Sequence, residues 1–120
     1  MDSTDLQSFK IWLQIRHDVI LTKEKEAISA LSSGNRLAYD AGMREKAEML
    51  KNLYKEAEPK LRNIPLANQE RIRKILANFS QNAATALSLD SVFYMSALLY
   101  PDDYKENEAD NLQKLVDSIA

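Results

Sequence analysis

Residues 32–58 read SSGNRLAYDAGMREKAEMLKNLYKEAE. From Tyr39, the apolar positions Met43, Ala47, Leu50, Tyr54 and Ala57 follow at steps of four, four, three, four and three, which places them all on one side of an α-helix. A helix from about Arg36 to Glu58 is predicted. Ahead of it, Ser32-Ser33-Gly34-Asn35 supplies a glycine suited to the left-handed conformation that closes a preceding helix. A loop this short makes the helices on either side antiparallel neighbours, so the stretch predicts a helical hairpin.

Upstream, Leu6, Phe9, Trp12, Leu13, Ile15, Val19, Ile20, Ala27, Ile28 and Leu31 form a broad apolar stripe, and a long first helix is expected to start after Thr4. Thr4 and Gln7 fit a capping box. Thr22 to Glu26 is entirely polar, which leaves two readings: a helix that passes over solvent, or a break with Thr22 as a new cap.

Downstream, Pro59 and Pro65 bracket Lys60-Leu61-Arg62-Asn63-Ile64, a segment that should not continue a regular helix. A third helix is predicted from Pro65 or Asn68 to Leu87, with Ile72, Ile75, Leu76, Phe79, Ala83 and Ala86 on one side. A short fourth, Leu89 to Leu99, would be capped by Ser88 or Asp90 and ended by Pro101. A last one spans about Asn107 to Ile119. No stretch sustains period-two alternation. The expected fold is all-α, a helical bundle in one domain: a long antiparallel hairpin (1–58), a proline-bracketed connector (59–65) and about three shorter helices (66–120). The second half either closes over the hairpin or stands apart from it.

Composition narrows the function. The chain has no cysteine, one histidine and two glycines, where cofactor loops need glycine and metal sites need several His or Cys ligands. No cofactor is expected. No run approaches the roughly 20 apolar residues of a membrane span, and the start Met1-Asp2-Ser3-Thr4-Asp5 is acidic where a signal peptide is basic. A cytoplasmic protein, of a cell or an infected host cell, is the expectation. The net charge of -2 is unevenly spread: residues 36–74 are rich in Lys and Arg, whereas 102–120 are acidic. Neutralisation of one by the other within a single fold is the favoured explanation, ahead of pairing between subunits.

Four groups of residues are candidates for chemistry or binding. Val92 to Tyr100 is the densest apolar run. As a helix apolar on every side it reads as the centre of the carboxy-terminal part; alternatively Tyr94, Tyr100 and Tyr104 stay at an interface, where tyrosine offers large contact area and a polar tip. A lone histidine such as His17 can carry a proton or bind a metal, but it has no second His or Cys near it in sequence, and Gln14 stands where a Glu-x-x-His pair needs an acid, so it reads as an ordinary surface or half-buried side chain. Glu45-x-x-Glu48 together with Asp102, Asp103, Glu106, Glu108 and Asp110 would suit a metal-dependent nucleotide hydrolase if the two groups met. Arg62, Arg71 and Arg73, with Lys60 and Lys74, form a basic patch for salt-dependent nucleic-acid binding. Against that stand the acidic net charge and the absence of a helix-turn-helix signature or an interleaved aromatic residue.

Trp12-Leu13-x-x-Arg16, Ala30-Leu31-Ser32-Ser33-Gly34-Asn35 and Ala47-x-x-Leu50 resemble the helical hairpins of small phage-encoded accessory and structural proteins over residues 12–58. The resemblance implies work by assembly with other chains. The reading that unites these points is a non-enzymatic helical interaction protein: an assembly component, adaptor, inhibitor or small chaperone. It would bind a protein partner or itself through Tyr94, Tyr100 and Tyr104, with Arg62, Arg71 and Arg73 as a second patch.

Overall fold

The computed structural model describes residues 3–119, with side chains from residue 5 onward. Helix α1 spans Ser3–Ser32, α2 Arg36–Leu61, α3 Leu66–Ser88, α4 Val92–Ala97 and α5 Asn111–Asp117. All the regular elements among the described residues are helices. None is long and apolar enough to cross a membrane.

The first corner forms as its glycine implies. Gly34 has φ +83°, its N–H donates to the Leu31 carbonyl at 2.9 Å, and Asn35 N–H donates to the Ala30 carbonyl at 2.8 Å. These are the two bonds of a Schellman cap. The Asn35 side chain then accepts the Ala38 N–H at 3.0 Å and starts α2. Ion pairs of Lys23 with Glu45 at 3.2 Å and of Arg16 with Glu56 at 3.8 Å mark the antiparallel register of α1 and α2. Exposed pairs of this kind add little stability.

What brings α1 and α2 together is Gly42. A Cβ at that position would lie 2.6 Å from the Ala27 Cβ and 3.3 Å from the Ala27 Cα, so the two backbones approach as closely as a glycine opposite an alanine allows.

Helix α1 is continuous through Thr22–Glu26. The Thr22 hydroxyl donates to the Asp18 carbonyl one turn back, at 2.8 Å, and caps nothing; Glu24 turns inward and is buried. Among the described residues the helix is already formed at Ser3, so Thr4 lies within it; the Thr4 side chain lies outside the described residues.

Helix α2 also runs further than its prolines suggest. It continues through Pro59 to Leu61, because the exposed proline forfeits one hydrogen bond while Ala57, Leu61 and Ile64 are all buried on the inner side. The connector shrinks to residues 62–65, and Gln69 Nε2 ties it down by donating to the Ile64 carbonyl at 2.8 Å. Pro65 is the N-cap of α3.

At 23 residues α3 belongs with the long helices, not with the short ones. It packs antiparallel to α2. Ser80 Oγ accepts the Tyr54 N–H at 3.2 Å and donates to the Leu50 carbonyl at 2.8 Å, so a side chain of α3 bridges one rung of the α2 backbone ladder.

The remaining chain crosses back over these three helices. Helix α4 is only Val92–Ala97, capped by Ser91 and not by Ser88 or Asp90. Helix α5 starts at Asn111, not Asn107, with Asp110 as its cap. The main core joins Leu13 and Ile20 of α1, Leu50 and Leu53 of α2, Ile72 and Leu76 of α3 and Leu112 and Val116 of α5. Both sides of the connector therefore share one interior. The molecule measures 51 × 29 × 23 Å, its long axis set by the 30-residue α1 at about 1.5 Å per residue.

Glycine-to-alanine changes inside a helix ordinarily stabilise by about 0.5–1 kcal/mol. At Gly42 the sign reverses: Gly42→Ala is expected to destabilise by about 1–3 kcal/mol through overpacking against Ala27, measured as a lower midpoint in urea denaturation at unchanged slope.

Candidate functional site

Two features of the second half bear on function: charges buried beneath it, and aromatic side chains it leaves in solvent. The buried charges come from positions inside the apolar stripes. On α1, Leu13, His17, Ile20, Glu24 and Ala27 succeed one another at helical spacing on the inner side, and all are buried. On α2, Lys46 lies between Met43 and Leu50 on the same terms and is fully buried.

The Lys46 ammonium donates to Glu24 Oε1 at 2.7 Å and to the Ser96 carbonyl at 3.0 Å. It also sits 5.1 Å from the centre of the Tyr100 ring. Tyr100 in turn donates its phenol hydrogen to the other Glu24 oxygen. One carboxylate and one ammonium thus join α1, α2, α4 and the segment after α4. Burial pulls the Lys46 pKa down, opposed by the Glu24 carboxylate. Burial, and then the Glu24 hydrogen bond, push the Tyr100 phenol up, which keeps it a neutral donor.

A second pair lies nearer the start of α1, where His17, expected at the surface or half-buried, is buried because Asp110 meets it from the cap of α5. His17 Nε2 faces Asp110 Oδ2 at 2.7 Å and Nδ1 faces Asp18 Oδ1 at 2.9 Å. Burial alone would lower the histidine pKa, but the hydrogen bonds to Asp110 and Asp18 outweigh it and the net shift is upward. Asp110 moves down: burial acts against this, and the His17 hydrogen bond and the α5 N–H groups prevail. Its Oδ1 accepts the N–H groups of Leu112 and Gln113, both at 2.9 Å. Asp110 therefore caps α5 with one oxygen and anchors it to α1 with the other. Gln14 and Gln113 exchange reciprocal amide bonds of 2.8 and 2.9 Å beside this pair.

Held in this way, α4 turns one side in and one side out. Met95 is buried with Ala27, Met43, Ala47 and Ala86, whereas Phe93 is 74% and Tyr94 53% exposed. Their rings lie 5.7 Å apart. Leu89, 59% exposed, adds to the same corner. Beside them an open hollow of about 320 Å³ is lined by Phe79, Asn82, Thr85, Tyr94 and Leu98 among others. The segment is thus part core and part solvent-exposed.

The three candidate tyrosines separate. Tyr94 points to solvent. Tyr100 and Tyr104 are half-buried, stacked edge to face at 4.7 Å, and line a second hollow of about 310 Å³ with Ile28, Tyr39 and Met43. Tyr100 has an internal role as the partner of Glu24.

The arginines separate too. Arg73 grips Glu58 through two bonds of 3.1 Å, Arg71 donates to Ser118 Oγ at 2.9 Å, and Arg62 is exposed at the end of α2. An aromatic ring absent from the linear reading does appear in space: Trp12 lies 5.3 Å from Lys60 Nζ and 5.8 Å from the Arg16 guanidinium.

Glu45 is engaged by Lys23 and Glu48 is exposed. Among the described residues no group of three or more His, Cys, Asp or Glu is placed to hold a metal ion. Between residues 36–74 and 102–120 there is no direct ion pair among the described residues; Arg36, Arg44, Lys46 and Arg73 pair instead with Asp40, Asp90, Glu24 and Glu58, and Lys46 also feels the Asp110 carboxylate at longer range. No protein-family model, no curated protein and no solved structure matches the chain.

Removing one partner of a buried ion pair strands the other. Lys46→Ala is expected to cost about 3–5 kcal/mol, and the double change Lys46→Met/Glu24→Leu to recover most of that loss, both read from urea denaturation. The His17–Asp110 pair gives a pH dependence. Because the folded histidine pKa lies above the ordinary 6.5, its contribution is complete below that value and is lost as pH rises through the folded pKa. Stability measured from mildly acidic to alkaline pH should fall across that window in the native chain, and His17→Gln should remove the step.

Proposed function

We propose that this chain is a non-enzymatic protein-protein interaction module, an assembly component, adaptor, inhibitor or small chaperone. Its contact surface is the aromatic corner of Leu89, Phe93 and Tyr94. One observation carries the reading: a six-residue helix is locked from beneath by Met95 and by Lys46 on the Ser96 carbonyl, yet presents Phe93 and Tyr94 to solvent. Adjacent exposed aromatics on a rigid support mark contact surfaces, and burying each would supply about 1.5–3 kcal/mol. The neighbouring hollow, with Asn82 and Thr85 beside Phe79 and Leu98, offers hydrogen-bonding groups around an apolar floor.

The hairpin's resemblance to phage-encoded accessory proteins suits this reading, and we place the chain in the cytoplasm of a cell or an infected host on the same footing. Nucleic-acid binding through Arg62, Arg71 and Arg73 has less support, because Arg73 is engaged by Glu58 and Arg71 by Ser118. Hydrolysis through Glu45 and Glu48 has less still, with Glu45 engaged by Lys23.

The double variant Phe93→Ser/Tyr94→Ser tests the proposal. Its stability should stay within about 0.5 kcal/mol of the native chain, as for exposed positions generally, while capture of the partner from the source cell drops at least tenfold. Met95→Ala serves as the contrast, losing about 2–5 kcal/mol from the core. Undiminished capture by the double variant would refute the assignment.

A further inference from the structure

A second apolar hollow lies on the other side of Tyr100 and carries a different kind of rim. Ile28, Tyr39, Met43, Tyr100 and Tyr104 line its open volume of about 310 Å³. The segment that supplies Tyr104 bears Asp102, Asp103, Glu106 and Glu108, all exposed, with Lys105 as its one base. None of these four acids forms an ion pair among the described residues. The Glu108 carboxylate accepts the Lys105 backbone N–H at 3.1 Å, and its carbonyl accepts the Tyr104 hydroxyl at 2.8 Å. Glu24 and Ser96 also reach the wall, with Glu24 already held by Lys46 and Tyr100; the wall is otherwise apolar and aromatic, and the chain segment adjoining it is anionic.

The complement sits at the opposite end of α2. Leu66, the first residue of α3, is 79% exposed. Lys60 and Arg62, in the last turn and C-cap of α2, precede it by six and four residues, are exposed and form no ion pair among the described residues, and the Lys60 ammonium lies 5.3 Å from the Trp12 ring centre. Tyr39 and Arg62 are separated by most of α2, about 34 Å at the helical rise of 1.5 Å per residue. Within one molecule the knob and the hollow therefore do not meet.

We propose that they meet between copies. Leu66 of one molecule inserts into the Ile28–Tyr39–Tyr100–Tyr104 hollow of the next, where Asp102 and Asp103 face the incoming Lys60 and Arg62. Apolar burial at the centre supplies affinity, and the opposed charges set orientation. The contact is head-to-tail, so each added copy leaves one knob and one hollow open and the assembly extends instead of closing as a dimer. This surface is distinct from the Leu89–Phe93–Tyr94 corner and does not depend on it.

Sedimentation velocity of the full chain across a concentration series tests the idea. The mass should climb with concentration through dimers to larger species, and less steeply at high salt, since the rim charges are screened. Leu66→Asp and Asp102→Lys/Asp103→Lys should each remain monomeric with an unchanged thermal melt, all three side chains being exposed. Mixed in equal amounts, they should form a discrete dimer, because the first variant keeps its hollow and the second keeps its knob. A native chain that stays monomeric at every concentration overturns the proposal. So does association that survives in both variants, or a dimer lost in both and not restored by mixing. A monomer that takes up an unrelated basic peptide in this hollow overturns it as well, by assigning the hollow another occupant.

Discussion

A buried ammonium group is the constraint on which the arrangement depends. Lys46 has no route to water, and an uncompensated charge in such a place would cost several kcal/mol. Its compensation comes from the Glu24 carboxylate on α1 and the Ser96 carbonyl on α4. Every geometry that leaves the lysine satisfied must therefore hold α1, α2 and α4 in one relative position. Apolar packing tolerates small slips between helices, whereas an ammonium with a fixed set of acceptors does not. Tyr100 extends the constraint along the chain by giving its phenol hydrogen to the same carboxylate.

The His17–Asp110 pair repeats the device one level down α1. Between them the two polar clusters pin both ends of the segment running from α4 to α5, which has little regular structure of its own. Leu99 shows the tension in that segment. Its φ of +77° is costly for a branched side chain, and it is retained because the side chain is buried in the core and the carbonyl accepts Asn111 N–H at 2.9 Å. With the segment fixed from beneath, Phe93 and Tyr94 are left on a rigid base at the surface. Rigid presentation lowers the ordering cost of any contact made there.

Much of the framework is legible in the order of residues. Gly34 announced the first corner, and the spacing of Met43, Leu50 and Ala57 announced the helix after it, because both signals are local. Pro59 misled since its effect is set by tertiary burial: Leu61 and Ile64 held the last turn in place. The buried charges were also partly visible. His17 and Glu24 fall on the inner register of α1, and Lys46 follows Met43 by three and precedes Leu50 by four. A charged residue in that register signals a pair, but its partner, Asp110 or Ser96, lies too far along the chain for spacing to identify. The division of Tyr94 from Tyr100 was hidden for the same reason: it depends on Glu24, which no local pattern connects to residue 100.

Amide hydrogen exchange on Glu24→Gln, compared residue by residue with the native chain, measures most directly whether the buried charges fix the second half onto the first three helices. The account predicts that protection is lost chiefly between residues 92 and 117, while the interiors of α1, α2 and α3 keep theirs. Protection that is unchanged in that segment, or lost evenly across the whole chain, would contradict it.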